Sequence, residues 1–347
     1  MLTKTMTFLA GWLMKQDFKP ALLEQKCIYE SQIELKSERN ELPKGIPIHV
    51  IPDPDGPKIG NGGSTLNAIS SLYSIYGNEM FQFRILMIHA GGLSKRIPST
   101  SVLGKIFSPI PKGSPMFQML DLKLAMYLPL IPRMPPGILV CCADDILVYN
   151  LGSDDNEWEL SDSGFTVFAH PSVLEFGVKH GVYVIDNKDV TDTETLVKEG
   201  DCLEVLQKPS VETMFEKGAV LDGEDLIFPD GITIHGRTVY TDSCFFFAMD
   251  TTDLYNAEID AYGDFLPALG PRATVDYIHN TSNVTTVLPN LLPTRKKVFD
   301  LLRGTKIKLY MMNSSRYIHI GTTKEYINHF CLDSDFSRRI RFDEKYI

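Results

Sequence analysis

The sequence predicts an α/β fold of Rossmann-like type, with a mixed, mainly parallel sheet and helices on both faces, and three observations carry that prediction. Phe83–His89 (FRILMIH) and Gly137–Cys142 (GILVCC) are apolar runs too continuous for half-exposed strands, so both read as central strands buried on two faces. Leu66–Tyr76 and Met116–Tyr127 carry apolar residues at helical spacing. The first run leads into Gly91-Gly92 and the second into Ala143-Asp144-Asp145, and the carboxyl end of a strand is where open α/β sheets bind ligands.

The chain has 347 residues, 44% of them hydrophobic and 22% charged, which is ordinary globular composition and argues against disordered and fibrous classes. A net charge of −10 argues against general binding to nucleic acid or to an anionic membrane. An anionic ligand therefore needs a local cationic patch, and Lys95, Arg96, Lys105 and Lys112 form the obvious one. The six cysteines show no CxxC or Cys/His zinc spacing, so a reduced, cytoplasmic location is expected. No apolar run approaches the roughly 20 residues of a membrane span.

In chain order, residues 1–45 read as a helical preamble: Leu2 to Ser37 carries helical periodicity, broken at Pro20. Residues 46–330 read as one domain, and 331–347 as a polar tail. Ile46–Ile51 is a strand that runs into DPDGPKIGNGGST and a helix. Gly60, Gly62 and Gly63 would let backbone amides approach a phosphate or a base, with Ser64 and Thr65 capping the helix. The loop is neither a Walker A nor a GxGxxG motif, and it reads equally as a tight turn with an N-cap. Further strands are expected at Phe165–His170, His180–Ile185, Cys202–Gln207, Val239–Met249, Lys306–Met311 and Tyr317–Gly321.

Several residues suggest chemistry. Arg84 to Lys112 combines a buried strand, a glycine pair and a cation cluster, a pattern that holds a polyphosphate against backbone N–H groups. Asp144, at a strand's carboxyl end, is a natural Mg²⁺ ligand or else a solvated strand exit. Lys208, just past a strand, can reach an anion or be an ordinary surface lysine. Asp260 and Asp264 share one face if Ala257–Leu269 is helical, as metal or sugar-hydroxyl ligands or as a solvated face.

HAGGLSKRIPSTSVLGKIFSPIP resembles the signature loop of sugar nucleotidylyltransferases, and the chain is similar to their fucose-1-phosphate guanylyltransferase family. KIGNGGSTLNA, PGILVCCADD, QKPSVE, EIDAYGDFLPALG and HIGTTKEY fall in that family's order, from about Ile46 to Phe330. The resemblance implies a GT-A-like nucleotidyltransferase domain that converts GTP and L-fucose 1-phosphate to GDP-L-fucose and pyrophosphate with Mg²⁺. It implies that Gly91 and Gly92 present backbone N–H groups to the nucleotide; Ser94 and Lys95 beside them, and Gly60, Gly62, Gly63 and Ser64 on the other loop, are further candidate nucleotide contacts. Arg96 would clamp the leaving pyrophosphate, Lys105 would stabilise the α-phosphate, Lys208 would hold the sugar phosphate, and Asp144 would carry the metal. No nucleic-acid partner is implied.

The sequence departs from the wider superfamily where His319 stands in place of an aspartate or asparagine metal ligand, leaving Asp264, Asp260 or Asp242 as substitutes. The Asp250 to Glu258 link is also short. The β-helical region of relatives and a kinase glycine loop are not expected in this chain. Another sugar 1-phosphate or base, and a non-catalytic nucleotide-sugar-binding protein, remain as alternatives.

Overall fold

The computed structural model describes residues 5–10, 19–54, 56, 58–90, 96–101, 103–151, 158–186, 195–222, 226–227, 233–234, 237–247 and 257–331. The first half of the chain supplies strands β1 (Thr5–Ala10), β2 (Ile48–Ile51), β3 (Arg84–His89), β4 (Gly137–Cys142) and β5 (Asp145–Tyr149). Helices α1 (Lys19–Glu38), α2 (Gly60–Tyr76) and α3 (Met119–Tyr127) lie between them. The second half adds β6 (Phe165–Val173), β7 (Gly181–Ile185), β8 (Val197–Gln207), and the short β9 (Leu221–Asp222), β10 (Leu226–Ile227) and β11 (Thr233–Ile234). It closes with β12 (Arg237–Phe247), β13 (Ile307–Met312) and β14 (Ser315–His319), and carries α4 (Leu174–Gly177), α5 (Val211–Lys217), α6 (Leu291–Leu302) and α7 (Thr323–Phe330).

The main sheet has the order β2-β1-β3-β4-β12-β6-β13-β8-β7, with β9 against β12. Strands β2, β1, β3 and β4 are parallel to one another, and so are β6 and β13. Every pairing of β12, and both pairings of β8, are antiparallel. The expectation of a mainly parallel sheet therefore holds for the β2-β1-β3-β4 half, and the rest makes the sheet mixed.

The continuous apolar runs follow from this layering. Ile85 and Met87 of β3 enter one core with Ala68 and Leu72 of α2 and Val298 of α6. Leu86 and Ile88 enter a second core with Leu120, Leu124 and Tyr127 of α3 and Phe330 of α7. In β4, Ile138 and Val140 alternate with Leu139 and Cys141 in the same way. Neither face meets water, so each position is selected for apolarity, at about 1.5–3 kcal/mol per buried side chain.

The helical preamble is corrected at its start. Thr5–Ala10 is a strand inserted between β2 and β3 and paired with both. A six-residue apolar run does not separate strand from helix by periodicity, and two neighbouring strands whose ladder groups need partners decide it. The sheet thus includes residues before 46. Helix α1 forms as expected and is locked down by Tyr29, whose hydroxyl donates to the Ala90 carbonyl (2.9 Å), and by Lys36, whose ammonium pairs with Asp121 (2.8 Å). Among the described residues no helix is long and apolar enough to cross a membrane.

Candidate active site

A cavity of about 800 Å³ opens at the carboxyl ends of β3 and β4. Arg96, Asp144, His180, Lys208, Asp260, Tyr262 and His319 are among the residues that line it.

Lys105 begins a short 3₁₀ turn, Lys105–Phe107, entered through Gly104 at φ 73°. A Cβ at Gly104 would collide with the Tyr29 hydroxyl, so glycine is needed both for the backbone angle and for the close approach. The turn brings Lys105 Nζ to 2.6 Å from Asp144 Oδ2, and His319 Nε2 lies 3.8 Å from the same oxygen. Burial pushes the Asp144 carboxyl up, but Lys105 first and His319 next outweigh it and hold the acid down at about 2. The group is a carboxylate at any physiological pH.

His319 is itself oriented. Its Nδ1 lies 3.1 Å from Glu325 Oε2. Glu325 sits in the first turn of α7, where the Thr322 hydroxyl accepts from the Glu325 N–H (3.1 Å) and donates to Oε2 (2.9 Å). The Gly321 N–H donates to the same carboxylate (3.0 Å). This is the Ser/Thr-x-x-Glu capping pattern, and it is legible in TTKE. The Ile320 N–H donates to the Asp144 carbonyl (2.7 Å), and β14 pairs with β5 so that His319 faces Asp145. Two further bonds, from the N–H and the hydroxyl of Thr323 to the Arg96 carbonyl (2.9 and 3.0 Å), tie the start of α7 to the Arg96 loop.

Lys208 follows β8 with φ 49°, a left-handed conformation in a residue that precedes proline. Its N–H donates to the His180 carbonyl (3.0 Å). Such strain costs about 1–3 kcal/mol and persists where the surroundings impose it, commonly at ligand sites. Beside it the His180 ring stacks on Phe176 (centroids 3.9 Å apart, 11° between planes), with Tyr317 edge-on to both.

Other expected site residues lie elsewhere. Asp264 is fully buried, with Oδ1 2.9 Å from Arg295 Nε and Oδ2 accepting the Asp260 N–H (2.7 Å). Burial pushes its carboxyl up to about 7 against the pull of Arg295. Residues Ala261–Phe265 form a π-helical turn, so the four-residue spacing does not put the two aspartates on one face. Asp260 reaches the cavity and Asp264 enters the core, which removes the metal role expected of Asp264.

The GNGGST stretch is corrected as well. Helix α2 starts at Gly60, and its glycines serve a close backbone contact: the Gly62 N–H donates to the Ile259 carbonyl (2.8 Å), and a Cβ at Gly60 would collide with that carbonyl. A Cβ at Gly63 would press on Ile59. Ser64 is buried and donates to Asp53 (2.5 Å), and Thr65 donates to the Asn61 carbonyl, so neither is the cap. The residue of this stretch that lines the cavity is Asn61, whose Oδ1 accepts the Ala261 N–H (2.7 Å). Gly91, Gly92, Ser94 and Lys95 lie outside the described residues.

Asp145, which also borders the cavity, pairs with Lys123 (2.8 Å), both side chains being fully buried. Burial alone would discharge the Lys123 ammonium, but the Asp145 carboxylate outweighs it and holds it above its ordinary value. Among the described residues no group of three His, Cys, Asp or Glu side chains forms a ready-made metal cage. Asp144 instead fits an ion held by one carboxylate and by the phosphates of its ligand.

A cavity lined by both cationic and acidic side chains at the carboxyl end of a parallel strand is the place where α/β sheets bind ligands. Residues 77–347 match the fucose pyrophosphorylase domain, and the chain belongs to that family. It is 44% identical over 337 residues to fucose-1-phosphate guanylyltransferase of Mus musculus and 42% identical to that of Homo sapiens. These matches cover 90% and 91% of this chain and 55% of each relative, so the chain spans about half the length of the curated relatives it matches. The bifunctional fucokinase/GDP-fucose pyrophosphorylase of Arabidopsis thaliana is 26% identical over 347 residues, covering 90% of this chain and 31% of its own. Among solved structures, a UDP-glucose pyrophosphorylase from Acinetobacter covers 97% of this chain and 81% of its own at 11% identity and a TM-score of 0.34, too low to bear on function.

Proposed function

We propose that this cavity transfers GMP from GTP to L-fucose 1-phosphate, giving GDP-L-fucose and pyrophosphate. The observation that carries the reading is a cavity lined by Asp144, Arg96 and Lys208, with Lys105 paired to Asp144 at its edge. Family membership supplies the substrate class.

A phosphate oxygen of the sugar phosphate attacks the α-phosphorus in line, one P–O bond forms, and the bond to the β-phosphate oxygen breaks. Two anions meet, so the protein's task is to hold geometry and neutralise charge. Lys208 orients the attacking phosphate. Arg96, exposed at the cavity edge, takes the leaving pyrophosphate. Lys105 shifts from Asp144 to the oxygens of the α-phosphate. Asp144 would hold Mg²⁺, which supplies charge neutralisation on the phosphates when bound. Asn61, Asp260 and Tyr262 form the wall left for sugar or ribose hydroxyls.

The test is pyrophosphate release from GTP, L-fucose 1-phosphate and Mg²⁺ by the folded protein, alongside other sugar 1-phosphates and nucleoside triphosphates. Release above that of an Arg96→Ala, Lys105→Ala double variant supports the reading. Tight GDP-fucose binding with no release in any combination would replace catalysis by sensing.

A further inference from the structure

The geometry points to His319 as a direct metal ligand that, with Asp144, biases this site toward a first-row transition divalent ion such as Mn²⁺ or Co²⁺ over Mg²⁺. The inference rests on the nucleotidyl-transfer reading for the ion's presence and goes beyond it in the ion's identity and in the roles of His319, Glu325 and Gly321.

Orientation is the first support. With Glu325 ionised, its contact to His319 Nδ1 makes that nitrogen the donor and leaves the lone pair on Nε2. Nε2 is the atom that points at Asp144 Oδ2, 3.8 Å away. A carboxylate holding the far nitrogen of a histidine is the usual outer support of a metal-bound imidazole. Glu325 has no freedom to abandon that task, because Thr322 and Gly321 fix the same carboxylate from the backbone side.

Spacing is the second. Ligands at adjacent corners of an octahedral ion, each about 2.1 Å from it, stand about 3 Å apart. The present 3.8 Å is within an ångström of that value, and the Asp144 oxygen that faces His319 is released for an ion once Lys105 shifts to the α-phosphate. The third support is the cradle under the ring. A Cβ on Gly321 would strike His319 Cε1, so glycine there lets the imidazole keep its present place.

The donor set then selects the ion. Mg²⁺ takes oxygen ligands in nearly ideal octahedral geometry, whereas affinity for nitrogen donors rises from Mn²⁺ through Co²⁺ along the first row. Replacing a carboxylate corner by imidazole removes one negative charge and adds a nitrogen. Both changes weaken Mg²⁺ more than Mn²⁺.

Pulsed electron paramagnetic resonance on the protein with Mn²⁺ and GTP gives a readout independent of turnover. The protein is prepared with ¹⁵N throughout and the nucleotide with natural nitrogen, so a coupling from His319 is separated from one due to guanine. A ¹⁵N coupling in wild type that His319→Gln abolishes is the expected result. Glu325→Gln is expected to weaken Mn²⁺ binding about 10–100-fold. His319→Asp should move the ratio of kcat/KM with Mn²⁺ to that with Mg²⁺ at least tenfold toward Mg²⁺. Bound Mn²⁺ with no ¹⁵N coupling, or turnover whose metal ratio His319→Asp leaves unchanged, overturns the inference and leaves the transfer reaction intact. A ¹⁵N coupling without pyrophosphate release would instead uphold the ligand and remove the transfer reaction.

Discussion

Replacing Lys105 by Met tests whether the cavity floor works as a charge-matched pair. In the wild type Asp144 is held at about 2 against an ordinary 3.8, although burial pushes it the other way, and Lys105 at 2.6 Å is the largest cause of the depression. Methionine keeps the volume of the stem and removes the charge. His319 stands farther off and is charged only when protonated, so burial should prevail and the Asp144 acid should rise above its ordinary value.

The consequence for stability has a definite sign. A carboxylate depressed in the folded state contributes stability that is present above pH 3.8 and lost as pH falls through about 2. A drop of nearly two units corresponds to about 2 kcal/mol. In the variant the sign reverses, because a folded-state value above the unfolded one costs stability as pH rises. Denaturant unfolding of both proteins from about pH 6 to about pH 2 should therefore show a difference that shrinks with acid. Carbon-detected NMR of labelled aspartate reads Asp144 directly. An Asp144 resonance that still titrates near its wild-type midpoint in Lys105→Met would refute the assignment of the depression to Lys105. Turnover should fall about 10²- to 10³-fold in the same variant.

Other expected outcomes follow from the supporting structure. Gly104→Ala meets both a left-handed backbone and the Tyr29 hydroxyl, so it should cost about 2–5 kcal/mol, with partial recovery in the Gly104→Ala, Tyr29→Phe double variant by thermal denaturation. Arg295→Met leaves Asp264 buried without its ion-pair partner and should cost about 3–5 kcal/mol at neutral pH. Asp264 is raised from 3.8 to about 7, so its contribution is most favourable below pH 3.8 and is lost as pH rises through about 7; Asp264→Asn should flatten that part of the stability profile. At Lys208, Gly should be more stable than Ala by about 1 kcal/mol because it accepts φ 49° without strain, while both abolish retention of the sugar phosphate in equilibrium binding.

The elements that the sequence shows clearly are those whose burial leaves a repetitive mark. Phe83–His89 and Gly137–Cys142 are apolar at every turn because they separate two cores, and the strands appear there. Arg96, Asp144 and Lys208 line one cavity because they follow strands, whereas Lys105 reaches Asp144 through a turn that depends on Gly104 and Tyr29. What was not legible depends on contacts between distant segments. Thr5–Ala10 becomes a strand because β2 and β3 lie on either side of it, which six residues do not encode. Gly60 and Gly62 answer to Ile259, about 200 residues later, and Asp264 answers to Arg295 on α6. TTKE announces a helix start, but a capping carboxylate such as Glu325 does not reveal in sequence that it also faces a histidine.

The two bonds from Thr323 to the Arg96 carbonyl join residues 227 apart in the chain. At synthesis rates of about 5–20 residues per second, Arg96 waits about 10–45 s on the ribosome before the segment that anchors its loop exists. The parallel half of the sheet has its own strands long before that. A nascent chain can therefore form the parallel half of the sheet while Arg96 is not yet fastened, and that fastening waits until α7 has been made and docks.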